Sequence, residues 1–280
     1  YVTHFRRLLE AGLTSGEAAR RIAADGLAAL HARMRVTNVS AGGEVALGEL
    51  WTSGWVGGRN QPADTELATV TVTGTGTPEG DLSVAYRGER LAGDALHRRL
   101  DSWVSAGVIE RTCADAVRMV MANPDWLRLN GRRVVVLGAG AEMGPLRSLL
   151  RWGAEVVAVD LPRPAIWSSL LDAVQRYAGT MHLPIDPRRG SGASIAGRAG
   201  ADLVRQLPSI ADWLGRFDGS LVLGNYVYAD GAMNVRVCAA ADALTAHLTG
   251  ERPDVALAFL ATPTDVFAVP AEAVAHAERA

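Results

Sequence analysis

The sequence predicts an α/β protein with a doubly wound parallel sheet in its second part and a smaller α+β domain before it. Residues 132–160 contain two apolar runs separated by a glycine-rich turn and a short helical pattern. After residue 160, short apolar runs keep alternating with helical patterns, which is the order of parallel strands joined by helices. Residues 36–80 are instead rich in glycine and in alternating β-branched residues. We therefore expect two domains, 1–125 and 126–280.

Local patterns place the elements of the N-terminal region. Residues 4–35 carry apolar residues at helical spacing, and Gly12 with Thr14-Ser15 divides them into two helices. We expect further strands at 69–73 and 82–86, and helices within 92–122.

The C-terminal region alternates strands and helices at short intervals. The predicted strands are 134–137, 156–159, 181–185, 220–223 and 255–260, and the predicted helices are 166–178, 201–216, 232–248 and one starting at 271. Residues 188–200 are rich in Gly, Ser and Arg and predict a loop. Five strands are fewer than a complete dinucleotide-binding sheet usually has. Either the sheet is short or the N-terminal region completes it.

Composition excludes several classes of function. The formal net charge of −2 gives no electrostatic footprint for nucleic acid or an anionic membrane. No apolar run approaches a membrane span, and the start of the chain does not have the pattern of a signal peptide. Cys113 and Cys238 are too few for a disulfide framework, so we expect a cytoplasmic protein. All 28 basic residues are arginine, which excludes Schiff-base lysine chemistry and a Walker A motif.

The glycine-rich turn that follows Val134–Leu137 has the chemistry of a nucleotide site. Gly138, Gly140 and Gly144 allow a sharp turn and a close approach to a pyrophosphate, and the following helix start offers N–H groups to that anion. The second apolar run ends on Asp160, whose carboxylate can accept hydrogen bonds from a ribose diol.

Residues 137–144, LGAGAEMG, resemble the T-G-x-x-x-G-h-G turn of short-chain dehydrogenases/reductases. Gly138 and Gly144 match the first and last glycines, Met143 matches the apolar position, and Glu142 replaces the middle glycine. The resemblance covers residues 132–265 and implies a Rossmann-like dinucleotide site. It implies adenine binding by Asp186 and a role for Asn225 in place of a family asparagine. The cofactor-binding residues expected from the turn and from this resemblance are Gly138, Gly140, Glu142, Met143, Gly144, Asp160, Asp186 and Asn225.

The side chain of Glu142 can take two orientations, which differ in whether a pyrophosphate can bind to the turn. If its carboxylate turns to solvent, the N–H groups of residues 140–144 stay free for a pyrophosphate. If it folds back onto them, it fills the anion site itself, because the positive end of a helix dipole stabilises a carboxylate.

Catalytic groups are harder to place. The family's Tyr-x-x-x-Lys relay is absent, since the chain has no lysine. Tyr226, Tyr228, Thr264 and Asp265 follow predicted strands and are the candidates for proton transfer. Each residue also has a purely structural interpretation: the two tyrosines can be packed and hydrogen-bonded side chains, and Thr264 and Asp265 can cap a turn. The six histidines show no metal-ligand spacing, and we expect no metal.

Three functions are compatible with these residues. The first is an NAD(P)-dependent oxidoreductase acting on a small carbonyl or alcohol, with NAD favoured because an acid at Asp160 repels a 2′-phosphate. The second is an S-adenosylmethionine-dependent methyltransferase, although Val136 stands where those enzymes usually carry an acid. The third is a non-catalytic Rossmann-like binding module. All three predict a small-molecule ligand without nucleic acid or membrane, and they leave a homo-oligomer open.

Overall fold

The computed structural model describes residues 2–38, 43–52, 66–190, 192–260, 271, 274–275 and 278–279. The helices in these ranges are α1 (Val2–Gly12), α2 (Gly16–Arg33), α3 (Gly93–Ser105), α4 (Arg111–Ala122), α5 (Leu146–Trp152), α6 (Pro164–Arg176), α7 (Ile195–Arg198), α8 (Leu207–Gly215) and α9 (Gly231–Glu251). The strands are β1 (Arg35–Asn38), β2 (Gly43–Ala46), β3 (Ala68–Thr73), β4 (Val84–Tyr86), β5 (Glu89–Leu91), β6 (Arg132–Leu137), β7 (Glu155–Val159), β8 (Thr180–Ile185), β9 (Ser220–Asn225) and β10 (Ala256–Phe259).

The central sheet of the described residues has six strands in the order β10-β9-β6-β7-β8-β3. Strands β6 to β10 run parallel, and β3 is antiparallel to β8. β6 lies between β7 and β9, so the prediction that Val134–Leu137 forms a central strand beside Val156–Val159 is confirmed. The strand order reverses between β6 and β9, which makes this the switch point at which open α/β sheets bind ligands.

Helices cover both faces of this sheet, which explains the uninterrupted apolar runs of its central strands. Val135 and Leu137 pack in a core with α8 and α9. Val134 and Val136 pack in a second core with α5 and α6. Side chains alternate between the faces of a strand, so β6 has to be apolar at every one of these positions.

The N-terminal region completes the sheet through β3, which pairs with β8 from Ala68 opposite Ile185 to Thr73 opposite Thr180. Val70 and Val72 pack on the second core. A strand is thus confirmed at 69–73, and it belongs to the main sheet, which is the case in which the N-terminal region completes that sheet. It alternates because its threonines lie on the more exposed face of an edge strand. The main sheet therefore draws strands from both sides of the division expected at residue 125.

The predicted helices of the N-terminal region and the strand expected at 82–86 are present, whereas the paired strands β1 and β2 and the strand β5 were not predicted. The α1–α2 hairpin turns where expected, and Ser15 caps α2 by accepting the N–H of Ala18 at 3.0 Å. The α3 and α4 helices bury Leu96, Leu100 and Ala114 against the β4–β5 hairpin in a small core of their own. In the described part of the chain, no helix has both the length and the apolar character needed to cross a membrane.

Two predicted elements differ in the structure. Residues 201–206 are not helical, because Asp202 Oδ1 accepts the N–H groups of Val204 and Arg205 and holds a turn. α8 therefore begins only at Leu207, with a proline in its first turn. Within the loop expected at 188–200, residues 195–198 form the short helix α7, which Ser194 caps. The helix expected from residue 271 lies largely outside the described residues.

Candidate functional site

The glycine-rich turn leaves β6 at the switch point and is tied to the end of β7. The N–H groups of Gly138 and Ala139 both donate to the carbonyl oxygen of Val159, at 2.9 and 3.1 Å. Gly138 has φ +80°, and a Cβ there would lie 2.8 Å from the carbonyl oxygen of Tyr226. The position needs glycine both for its conformation and for this close approach.

Two successive turns carry the chain from Gly138 to α5. Ala141 N–H donates to the Gly138 carbonyl at 2.9 Å, and Gly144 N–H donates to the Ala141 carbonyl at 3.0 Å. Pro145 occupies the N-cap position of α5, one residue earlier than the first-turn position expected for it. The glycine pattern thus predicted the turn but not the late start of the helix.

Asp160 lies against this turn and is bound to it. Its Oδ2 accepts the N–H of Gly140 at 2.7 Å, and its Oδ1 accepts the N–H of Leu161 at 2.6 Å. Burial raises the pKa of Asp160, although these two N–H groups and the charge of Arg163 oppose the shift. A carboxylate oxygen can accept two hydrogen bonds and each of these two accepts one, so both keep a lone pair for a further donor.

Glu142 takes the first of the two orientations considered above. Its side chain is exposed, and no described group donates a hydrogen bond to its carboxylate. The prediction that all N–H groups of 140–144 stay free was nevertheless wrong for three of them, since those of Gly140, Ala141 and Gly144 are donated within the site. The carboxylate that reaches the turn is that of Asp160. The N–H groups of Glu142 and Met143 have no acceptor among the described residues.

A cleft of about 300 Å³ lies between the turn and α6. Gly140 and Glu142 line one side, and Ile166 and Ser169 of α6 line the other. Arg147 also lines the cleft, and its Nη2 donates to Ser169 Oγ at 3.1 Å. Sequence reasoning missed the residues from α5 and α6, because only tertiary packing brings these two helices together.

Asp186 follows β8 as expected, but an arginine occupies its carboxylate. Arg188 Nε donates to Oδ1 at 2.9 Å, and Arg188 Nη2 donates to Oδ2 at 2.8 Å. These bonds outweigh burial and hold the pKa of Asp186 below its usual value. An adenine amine would have to share the carboxylate with this arginine.

Asn225, the last residue of β9, and Tyr226 lie beside the switch point. Tyr226 N–H donates to the Leu137 carbonyl at 2.9 Å, and Asn225 Oδ1 accepts the N–H of Val227 at 3.3 Å. The Tyr226 ring lies over Gly224, where a Cβ would be 2.6 Å from a ring carbon. Burial raises the pKa of Tyr226. The phenol therefore stays protonated at neutral pH, so it is a poor base.

The remaining catalytic candidates are separated in the structure. Tyr228 is 74 % exposed, and its hydroxyl donates to Asp230 Oδ1 at 3.2 Å. Thr264 and Asp265 lie outside the described residues. The structure thus brings Gly138, Gly140, Asp160 and Tyr226 to one place and directs Met143 and Tyr228 to solvent.

No protein-family model, no curated protein and no solved structure matches this chain. Among the residues that the structure describes, no group of three or more His, Cys, Asp or Glu side chains could hold a metal ion. The features of this chain that indicate a function are therefore the topology of its sheet and the chemistry of its glycine-rich turn.

Proposed function

We propose that the carboxyl edge of the sheet binds an adenosine-containing cofactor, with NAD as the first choice, and that the protein is an oxidoreductase acting on a small carbonyl or alcohol. The observation that carries the proposal is the bond between Asp160 and Gly140 at the switch point. This bond fixes a carboxylate beside a glycine turn, where the fold accepts nucleotides.

The carboxylate of Asp160 suits a ribose. Its two oxygens each retain an acceptor position, and a ribose diol offers two O–H donors. A 2′-phosphate would instead bring a second negative charge to the same place, which favours NAD over NADP.

The pyrophosphate has donors within reach of the same turn. The N–H groups of Glu142 and Met143 are not used by described residues, and the cleft beside them is lined by Arg147. A guanidinium suits phosphate oxygens because it offers several donors in one plane.

Proton transfer is assigned to Tyr228 with Asp230 rather than to Tyr226. The Tyr228 hydroxyl is exposed and donates to the Asp230 carboxylate, so it can pass its proton to Asp230 as it takes up the proton of an alcohol substrate. Tyr226 is packed over Gly224 and is held protonated.

One observation favours S-adenosylmethionine as a second candidate. Three N–H groups of the turn are donated within the site, and a cofactor without a pyrophosphate does not require them. The ribose would still bind Asp160, and the reaction would be methyl transfer.

Calorimetric titration with NAD(H), NADP(H) and S-adenosylmethionine tests these assignments. Asp160→Ala should weaken binding of the true cofactor by about 1–3 kcal/mol, because a charge-assisted hydrogen bond is lost. The control is Asp172→Ala, which removes an exposed acid of α6 and should leave affinity unchanged. Failure of the wild type to bind any of the three would refute the proposal. Binding without turnover would leave the protein a binding module.

A further inference from the structure

A row of polar side chains crosses four neighbouring strands in the half of the sheet away from the glycine turn. It consists of Arg133 on β6, Glu155 on β7, His182 on β8 and Thr71 on β3. Arg133 lies opposite Glu155, and Thr71 lies opposite His182. The proposed cofactor site uses none of these residues.

Short hydrogen bonds connect the row from end to end. Arg133 Nε donates to Glu155 Oε1 at 2.6 Å, and the same oxygen lies 2.7 Å from His182 Nε2. On the other side of the ring, His182 Nδ1 lies 2.9 Å from Thr71 Oγ1. The edge of the His182 ring also packs against Phe217, with ring centroids 5.4 Å apart.

The charge on Glu155 decides the tautomer of His182. Burial raises the pKa of Glu155, but the bonds from Arg133 and His182 outweigh it and hold the pKa below its ordinary value. Glu155 is therefore a carboxylate that only accepts, so Nε2 of the neutral ring carries the hydrogen. Nδ1 then presents its lone pair to Thr71, and the threonine hydroxyl donates to it.

Thr71 is the exposed end of the row, while His182 and Glu155 are partly buried. Gly74 N–H donates to the Gly179 carbonyl, and Pro184 opposite Thr69 has no N–H to donate. In an antiparallel pair, every second residue of a strand points its N–H group toward the partner strand. Gly74 points toward β8, so Thr73 and Thr71, one and three positions before it, point their N–H groups away from β8. No described strand pairs with that edge. A hydroxyl and backbone donors are thus available on the same open edge.

We propose that Thr71 is a nucleophile that accepts an acyl group from a carboxylic ester, with His182 as its general base and Glu155 as the positioning residue for the ring. The Thr71 oxygen forms a bond to the acyl carbon as its proton passes to His182 Nδ1. The ester C–O bond breaks, and the leaving alkoxide takes that proton. Water, deprotonated by the same nitrogen, then attacks the acyl carbon. The bond from that carbon to the Thr71 oxygen breaks, the acid leaves, and the proton on His182 returns to Thr71.

Thr73 provides the matched control. It lies on the same strand and face as Thr71 and is also exposed, but its hydroxyl pairs with Thr180 Oγ1 at 3.2 Å and not with a histidine. Thr71→Val and Thr73→Val each remove one hydroxyl at nearly constant shape, and circular dichroism checks that both variants fold.

The experiment measures hydrolysis of p-nitrophenyl acetate and locates the acyl group by peptide mass spectrometry after an acid quench. We expect acetylation of Thr71 and a rate that falls roughly 10²-fold in Thr71→Val, because the hydroxyl that His182 activates is absent, with no change in Thr73→Val. Glu155→Gln should lower the rate constant for acylation without changing the ester concentration at half-saturation. An unchanged rate in Thr71→Val, or acetyl groups found as often on Thr73 as on Thr71, would overturn the proposal.

Discussion

Gly138 shows how a single residue can carry two separate constraints. Its φ of +80° lies in the left-handed region, and the backbone of Tyr226 occupies the space where a Cβ would be. Gly131, just before β6, has φ +75°, but apart from its chain neighbours no atom lies within 4 Å of that position. The two glycines therefore separate the cost of conformation from the cost of contact.

Gly138→Ala should destabilise the protein more than Gly131→Ala. The left-handed conformation costs a non-glycine residue about 1–2 kcal/mol, which both variants pay. The forced contact with Tyr226 adds about 1–3 kcal/mol in Gly138→Ala alone, as overpacking does. Urea unfolding of the two variants measures the difference. Equal losses would show that the turn shifts away from Tyr226 without strain.

At the scale of elements, Glu155 links β6, β7 and β8 through Arg133 and His182. Because its pKa in the folded protein lies below the ordinary value of 4.5, its contribution is complete above pH 4.5. The contribution is lost as the pH falls through the folded pKa, when the carboxylate is protonated. The link between these strands should therefore weaken in acid.

Glu155→Gln should lower the free energy of unfolding at pH 7, and the difference from wild type should shrink below pH 4.5. Urea unfolding at pH 7 and pH 3 gives both values. Glu251→Gln is the control, since Glu251 is exposed and has no bonded partner among the described residues. A wild-type advantage over Glu155→Gln that is the same at both pH values would contradict the assignment.

Elements with a strong local pattern were the predictable ones. The apolar run of β7 and the threonine–valine alternation of β3 each identify a strand without any knowledge of its neighbours. The partner of β3 could not be predicted, because β8 lies more than 100 residues away along the chain. For the same reason the sequence placed Asp160 at a strand end but did not show that Gly140 binds it. Asp202 was missed because its side-chain turn outweighs helix propensity.

At the scale of the whole molecule, the sheet joins the two halves of the chain. β3 comes from the first half and covers the edge of β8, and Trp213 Nε1 donates to Thr69 Oγ1 at 2.8 Å. Arg216 also donates to the Leu67 carbonyl at 3.1 Å. Besides its pairing with β8, β3 is therefore bonded to α8, and the residue before β3 is bonded to the residue that follows α8.

A fragment of residues 126–280 should therefore be less stable than one of residues 66–280. We expect a difference of at least about 2 kcal/mol from the partial burial of Val70 and Val72 alone. Urea unfolding followed by circular dichroism compares the fragments, and alanine at both valines in the longer one should reproduce part of the loss. Equal stabilities would support an independent domain beginning near residue 126.

The pairing of β3 with β8 also has a consequence for how the protein is made. Thr73 and Thr180, which meet at one end of this ladder, are 107 residues apart. A ribosome adds about 5–20 residues per second, so β3 leaves the exit tunnel roughly 5–20 s before its partner. During that interval the strand lacks β8, its partner in the described sheet, and is exposed to other nascent chains. Slower translation would lengthen this exposure and should increase the fraction of newly made chains that needs a chaperone.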